Sequence, residues 1–421
     1  MTGNVMSQEQ STDALQNDAL DHLPISRPLL LALLVVATAI GPLAMQMILP
    51  GLPEIQAQFT VSAGLTQLLI SVSLVAIALS NLVFGPLSDR FGRLPVLLIG
   101  LVGFVAGSAI AAMAPTIEIA ILGRVIQAVG GSAGMVLSRA IVRDLFDREH
   151  AASMIAYITM AMVIAPMLAP AIGGVLIDAA SWRAVFVFTG VAGFLVLAAI
   201  AWALPETNHD RTPMPGPMSI VSGFGDLLRI PAFRGYAMQS AFTMVIFFAF
   251  ISGAPYLTVT VFGYTATDYG LFFMTVAGSY MAGNFLAARI SPRVGVDRMI
   301  LLGSAIALVG VVAGALTKLG GVWTIVVLFA PAAIVAFSNG LSLPNSMAGA
   351  VSVDPKRAGA ASGLMGFIQM TLSAAAAQFV GETMDGSPWP MFAIMLVAAS
   401  LALIVTLLYL RPTLSNVSAK P

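Results

Sequence analysis

Arg124 and Gln127 stand three residues apart in the apolar stretch Ile121-Leu-Gly-Arg-Val-Ile-Gln-Ala-Val-Gly-Gly131. On a helix that spacing puts both side chains on one face. A charge near the middle of a lipid-spanning helix costs roughly 3 kcal/mol on insertion scales, so an intramembrane arginine marks a functional site. A second set is the string Gly85-Pro-Leu-Ser-Asp-Arg-Phe-Gly-Arg93. Its glycines, Gly85 and Gly92, permit tight turning and close helix approach. Asp89 can then face the positive N-terminus of another helix, that of the eleventh apolar span, while Arg90 and Arg93 pair with carboxylates such as Asp144, giving a breakable latch. A third set, Pro166, Pro170, Gly173 and Gly174, lies within ten residues. The prolines remove backbone donors and bend a helix, and the glycines let a neighbouring helix close tightly.

Bond-making chemistry is missing. There is no cysteine, and the three histidines, His22, His150 and His209, all lie in polar stretches. No Ser-His-acid set and no Gly-x-x-x-x-Gly-Lys-Ser/Thr phosphate cradle occurs. The residues therefore predict neither an enzyme nor a bound metal or cofactor. Nineteen Lys plus Arg balance nineteen Asp plus Glu, without the basic footprint of a nucleic-acid binder.

Hydrophobic side chains make up 58% of the 421 residues and charged ones only 9%, against about 25% charged in soluble domains. So few charges cannot keep the surface of a chain this long in water, and the lipid bilayer must be its partner. Apolar runs of about 20 residues, enough to cross roughly 30 Å of hydrocarbon, predict twelve spanning helices. They cover residues 28–50, 64–84, 95–114, 117–138, 152–177, 183–203, 236–258, 268–290, 298–316, 322–345, 358–382 and 389–410. The division of 95–138 falls at Pro115. With the N-terminus inside, sixteen Lys and Arg, from Arg27 to Lys420, face one side, and only Arg183 and Lys318 face the other. That bias predicts both termini in the cytoplasm.

The polar, proline-rich stretch around 204–234 reads as a flexible linker. The expected organisation is a cytoplasmic tail (1–27), a six-helix bundle (28–204), the linker (205–234), a second six-helix bundle (235–411) and a tail (412–421). The bundles look related: Gly85–Gly92 follows the second span and Ala288–Gly295 the eighth, with Leu87/Ile290, Ser88/Ser291, Arg90/Arg293 and Gly92/Gly295 in register. A tandem six-plus-six repeat is a transporter plan.

The string at 85–93 resembles the loop signature between the second and third helices of the major facilitator superfamily. The span with Arg124, Gln127 and Gly130 resembles that superfamily's fourth-helix motif, continued by Arg139, Arg143 and Asp144. Ala165–Gly174 resembles the fifth-helix motif of its drug antiporters. Further stretches, Leu49-Pro-Gly-Leu-Pro53, Trp182-Arg183, Leu204-Pro-Glu-Thr207, Ser252-Gly-Ala-Pro255 and Leu343-Pro-Asn345, are similar to its bicyclomycin/chloramphenicol-resistance (Bcr/CflA-type) branch. The resemblance runs from about residue 30 to about 410. It implies an all-α fold of two six-helix bundles, a monomer in the bacterial inner membrane, and alternating access to a midplane cavity. It also implies export of small amphipathic, drug-like compounds against inward-moving protons, with Arg124 in proton coupling or substrate binding. The coupling and gating set is then Gly85, Asp89, Arg90, Gly92, Arg93, Glu118, Arg124, Pro166, Pro170, Gly173 and Gly174.

Two positions depart from the pattern. Leu94 stands where another basic residue is usual. Gln46, just before the Leu-Pro-x-Leu-Pro string, stands where related drug/proton antiporters keep an acid. Gln46 cannot titrate, and no carboxylate lies clearly at the middle of a span. Three routes stay open: Glu118 acting with Arg124, about 9 Å away along one helix; Asp89 or the substrate carrying the proton; or an uncoupled facilitator of one endogenous metabolite. Polar residues in apolar spans tend to face the bundle interior. That rule nominates Gln46, Gln67, Arg124, Gln127, Gln239, Asn284, Asn339 and Gln369 for the cavity. Met45, Met160, Met162, Phe242, Phe247 and Tyr280 are the expected adaptable walls.

Overall fold

The structure, a computed structural model, describes residues 25–410 apart from 147, 209–210 and 212–216. Nearly all of both predicted tails, 1–27 and 412–421, lies outside the described residues. Twelve helices are long and apolar enough to cross a membrane. They are α1 (Arg27–Met47), α2 (Ala63–Phe91), α3 (Arg93–Ala112), α4 (Ile117–Leu145), α5 (Arg148–Ala179) and α6 (Trp182–Ala203), then α7 (Pro231–Tyr256), α8 (Ala266–Val294), α9 (Val296–Leu319), α10 (Ile325–Ser352), α11 (Ala358–Thr383) and α12 (Trp389–Tyr409). The break around Pro115 is where the sequence puts it, between α3 and α4. Alternation places the start of α1 and the end of α12 on one face. That face, rich in arginine, is called the basic face below.

Within the 205–234 stretch, a helix runs from Pro217 to Arg229. Its apolar side supplies the reason: Leu227 is fully buried and Phe224 packs beside it, in a cluster with Phe233 and Tyr236 of α7. At its end Asp226 pairs with Arg357, just before α11, at 2.9 Å.

The internal repeat is visible in the backbone. Gly92 joins α2 to α3 at φ +102° and Gly295 joins α8 to α9 at φ +92°, a region that L side chains rarely adopt. Both accept the same corner: each N–H bonds the carbonyl four residues back, Ser88 and Ser291 respectively.

The halves α1–α6 and α7–α12 meet chiefly along α2 with α11 and α5 with α8. Away from the basic face they share one apolar core, in which Met47, Ile55 and Trp182 belong with Phe250, Tyr269 and Phe329. Toward the basic face the cores separate. Leu30, Leu97, Leu145 and Ala203 cluster within the first half, and Phe233, Ile300, Ala350 and Leu410 within the second. The hydrophobic core is thus shared at one face and divided at the other.

Trp182 locks the joined end of the first half. Its N–H groups donate to Glu54 (3.2 Å) and Gln58 (2.5 Å), and Arg183 stacks over its ring at 4.3 Å. Deleting a buried aromatic this large costs about 3–5 kcal/mol. Trp182→Ala is therefore expected to lower the thermal midpoint of the purified protein sharply; an unchanged midpoint would show that the ring does not anchor this end.

Candidate functional site

A cavity of about 310 Å³ lies between the halves, at the lower end of the size range of small-molecule pockets. Six methionines line it: Met45, Met135, Met162, Met167, Met244 and Met370. Phe247, Phe248, Phe273 and Tyr280 contribute aromatic wall from the second half. The polar lining is small. Gln46, 6% exposed, reaches it from α1 and Asn339, 2% exposed, from α10. The side-chain carbonyl oxygens of both are buried without a hydrogen-bond partner among the described residues. Among the described residues, no acidic or basic side chain belongs to the lining.

Of the nominated residues, Gln46, Tyr280 and Asn339 line this space, and so do Met45, Met162 and Phe247. Arg124 and Gln127 stand behind the wall, inside the first half. Arg124 is 1% exposed, giving one N–H to Gln127 Oε1 at 2.5 Å and one to the Met45 sulfur at 3.1 Å. Gln127 in turn donates to Ser108 (2.7 Å) and Thr189 (3.1 Å). The node therefore ties together α1, α3, α4 and α6. Its counterpart in the second half is Gln239 of α7, which donates to Thr243 and Ser304 and accepts from Ser346. Ser304 also meets Thr406 of α12, so the helices engaged, α7, α9, α10 and α12, are the repeat equivalents of the first four. Gln239 thus fastens a bundle from within rather than facing the cavity. Gln369 is buried on α11 beside the lining Met370. Asn284 donates to the Tyr280 carbonyl one turn back on α8. Met160 is exposed on α5, and Phe242 packs on the shared core.

Gln67 belongs to the closure opposite the basic face. Its amide donates to Ser252 of α7 at 3.0 Å. Nearby, Ser71 donates to Gln378 of α11 (2.7 Å), and Gln378 donates to the Gly64 carbonyl (3.0 Å). Asp178, at the end of α5, accepts the N–H groups of Ala266 (3.2 Å) and Thr267 (2.8 Å) at the start of α8. There a carboxylate meets the positive end of a helix dipole across the two halves. These side-chain hydrogen bonds between α1–α6 and α7–α12 all lie at this face.

Close backbone approach completes the seal. A Cβ on Gly173 would sit 2.1 Å from the Met47 carbonyl oxygen, and one on Gly174 would sit 2.3 Å from that of Ala266. The fifth-helix motif thus presses α5 onto α1 and α8 together. Pro166 faces the cavity, and the Pro170 carbonyl abuts Gly270 of α8.

At the basic face, Arg93 bonds Asp89 and, at 2.9 Å, Asp144. The Glu206 carboxylate accepts the N–H groups of Arg93 (2.8 Å) and Leu94 (3.2 Å), capping α3. These partners all precede α7, and Asp89 is 44% exposed. Asp89 here pairs with Arg93 of its own half, whereas the sequence reading set it against the start of α11. Arg90 lies over the Phe91 ring. Glu118 is exposed in the first turn of α4, so it shares a helix but not an environment with Arg124.

Asp178, Gln378 and Glu206 carry contacts that the sequence reading did not assign. Removing the Asp178 acceptor forfeits about 1.5–3 kcal/mol of charge-assisted hydrogen bonding. In this chain without native cysteine, the pair Gln67→Cys and Ser252→Cys reports closure by cross-linking. Asp178→Ala is expected to lower its yield about tenfold or more; an unaltered yield would mean that the carboxylate does not hold the halves together.

The Major Facilitator Superfamily model matches residues 34–378. The chain is 30% identical over 378 residues to the uncharacterized MFS-type transporter YdgK of Bacillus subtilis, covering 87% of this chain and 92% of that protein. It is 28% identical to the bicyclomycin resistance protein homolog of Haemophilus influenzae, covering 85% and 89%, a match in keeping with the branch named above. Among solved structures, a bacterial homologue of the human lysosomal transporter Spinster has the same fold, with a TM-score of 0.73 at 17% identity and coverage of 91% and 98%. With the family's model running from the first spanning helix into the eleventh, the chain belongs to the Major Facilitator Superfamily and is a multi-pass membrane transporter, not an enzyme.

Proposed function

We propose that the protein exports small amphipathic, drug-like compounds across the bacterial inner membrane by alternating access, in exchange for protons. The observation that carries this reading is the thioether-rich cavity between two halves joined at one face and divided at the other. Methionine side chains are flexible and polarizable, and walls built of them re-pack around different guests. The arginine bias puts the divided, basic face and both termini in the cytoplasm, so the cavity is placed to load from inside. Rocking the halves about the cavity would break the Asp178 and Gln67 contacts and bring Gly85 of α2, now flanked by open space, against the other half.

Gln46 supports the second reading, an uncoupled carrier of one metabolite, because it puts a group that cannot titrate into the cavity. Proteoliposomes loaded with chloramphenicol or a dye distinguish the two. Coupled export requires an imposed pH gradient to drive wild-type movement against the concentration gradient. If only Gln46→Glu responds to the gradient, the natural chain is uncoupled. Blockade by chemically unrelated compounds separates a broad exporter from a carrier of one metabolite.

A further inference from the structure

Two arginines of α4 are each bonded to a methionine that lines the cavity. Arg124 donates to the Met45 sulfur at 3.1 Å, and Arg139 donates to the Met162 sulfur at 2.9 Å. They lie fifteen residues apart, about 22 Å along the helix, with Arg139 nearer the basic face. A thioether is a weak acceptor, whereas a guanidinium offers five donors. Among the described residues neither arginine has a carboxylate partner, and the Nε of each is buried without any partner. Burying a positive charge with so little compensation is costly. Arg124 has one further acceptor, the Gln127 side-chain carbonyl, but among the described residues neither arginine has an anionic one.

We infer that Met45 and Met162 are movable shutters over Arg124 and Arg139, and that the cavity takes amphipathic compounds bearing a carboxylate or a comparably strong acceptor. This rests on the export reading and names its substrate class. Methionine has three rotatable bonds and repacks easily, so each sulfur gives way when a better acceptor arrives. A charge-assisted bond to a carboxylate is roughly twice as strong as a neutral one. The guest's apolar body then lies against Phe247, Phe273 and the remaining methionines. An anion entering from the basic face meets Arg139 first and Arg124 deeper. A cationic guest meets the reverse: no carboxylate in the lining, and two guanidiniums behind it.

The test uses three probes of one shape and different charge: naphthoate, naphthylmethanol and naphthylmethylammonium. Their binding to the purified full-length protein is measured by equilibrium dialysis at neutral pH. Naphthoate is expected to bind about tenfold or more tighter than the ammonium probe. Arg124→Gln should remove most of that preference, weakening naphthoate far more than the neutral probe. Met45→Leu keeps the volume and deletes the competing sulfur, so it should tighten naphthoate by about threefold relative to the alcohol. The Met45→Leu result stands even if Arg124→Gln fails to fold. Equal binding of all three probes would overturn the charge assignment alone. A Met45→Leu change that moves the alcohol and the carboxylate together would overturn the shutter. Failure of every probe, and of chloramphenicol with them, would remove the export reading and the inference with it.

Discussion

Gly174→Leu is expected to reduce transport to background while the chain still folds and inserts. Only one hydrogen fits between α5 and α8 at this position, since a Cβ would come within 2.3 Å of the Ala266 carbonyl oxygen and 2.8 Å of the Thr267 Cα. Both are backbone atoms, so no side chain can swing aside. Forcing extra carbons into a well-packed contact costs about 1–3 kcal/mol, and here the cost falls only on the conformation in which α5 and α8 touch. A differential of that size shifts a two-state equilibrium by about 5- to 150-fold. The Asp178 bonds to Ala266 and Thr267 lie at the same crossing and would be lost with it. A cysteine at position 252 of the second half provides the readout, because Ser252 is buried against Gln67 in the closed arrangement. Its labelling by a membrane-impermeant maleimide should rise in the leucine variant. Unchanged labelling together with normal transport would show that the crossing does not gate the cavity.

Arg124→Met is expected to abolish transport while leaving thermal stability close to that of the wild type. A buried charge whose only anchors are an amide oxygen and a thioether is a net cost to the fold; even complete buried ion pairs are often replaced by apolar residues with a gain of about 1–4 kcal/mol. The substitution leaves the Gln127 carbonyl without its donor, a loss of about 1–3 kcal/mol. Gln127 nevertheless keeps Ser108 and Thr189, and methionine refills much of the volume. The two contributions largely offset each other, so the thermal midpoint is expected to stay close to that of the wild type. A midpoint that drops by many degrees would make Arg124 a structural rivet, with no reason to tie its charge to transport.

The twelve helices were legible because a lipid core sets a minimum apolar length and no soluble chain satisfies it twelve times. Arg124 and Gln127 were legible as a pair because three residues bring side chains together on any helix. Which way that pair points was not. In a bundle whose helices are apolar on every side, the polar position alone does not tell the cavity wall from the seam between helices. Gln46 and Asn339 reach the wall, whereas Gln239 and Gln127 fasten seams, and the four look alike in sequence. Met135, Met167 and Met244 line the cavity with nothing in their neighbourhoods to distinguish them from lipid-facing bulk. Asp178 and Glu206 were missed for another reason. Each caps a helix that starts far away in the chain, so the pairing exists only once the helices are assembled. The match between Gly92 and Gly295 was read from register, and the backbone torsions give it a cause.

The shared core at one face and the separate cores at the other also bear on the surrounding lipid. A body joined at one end and parted at the other takes up unequal areas in the two leaflets, and the rocking proposed above would exchange that inequality. Lateral pressure in each leaflet would then do work on that conformational change. Bilayers rich in lipids with small head groups and those rich in large ones are expected to set different resting balances between the two arrangements, with no lipid needing to bind as a ligand. The membrane is in this sense a mechanical load on the carrier as well as its solvent.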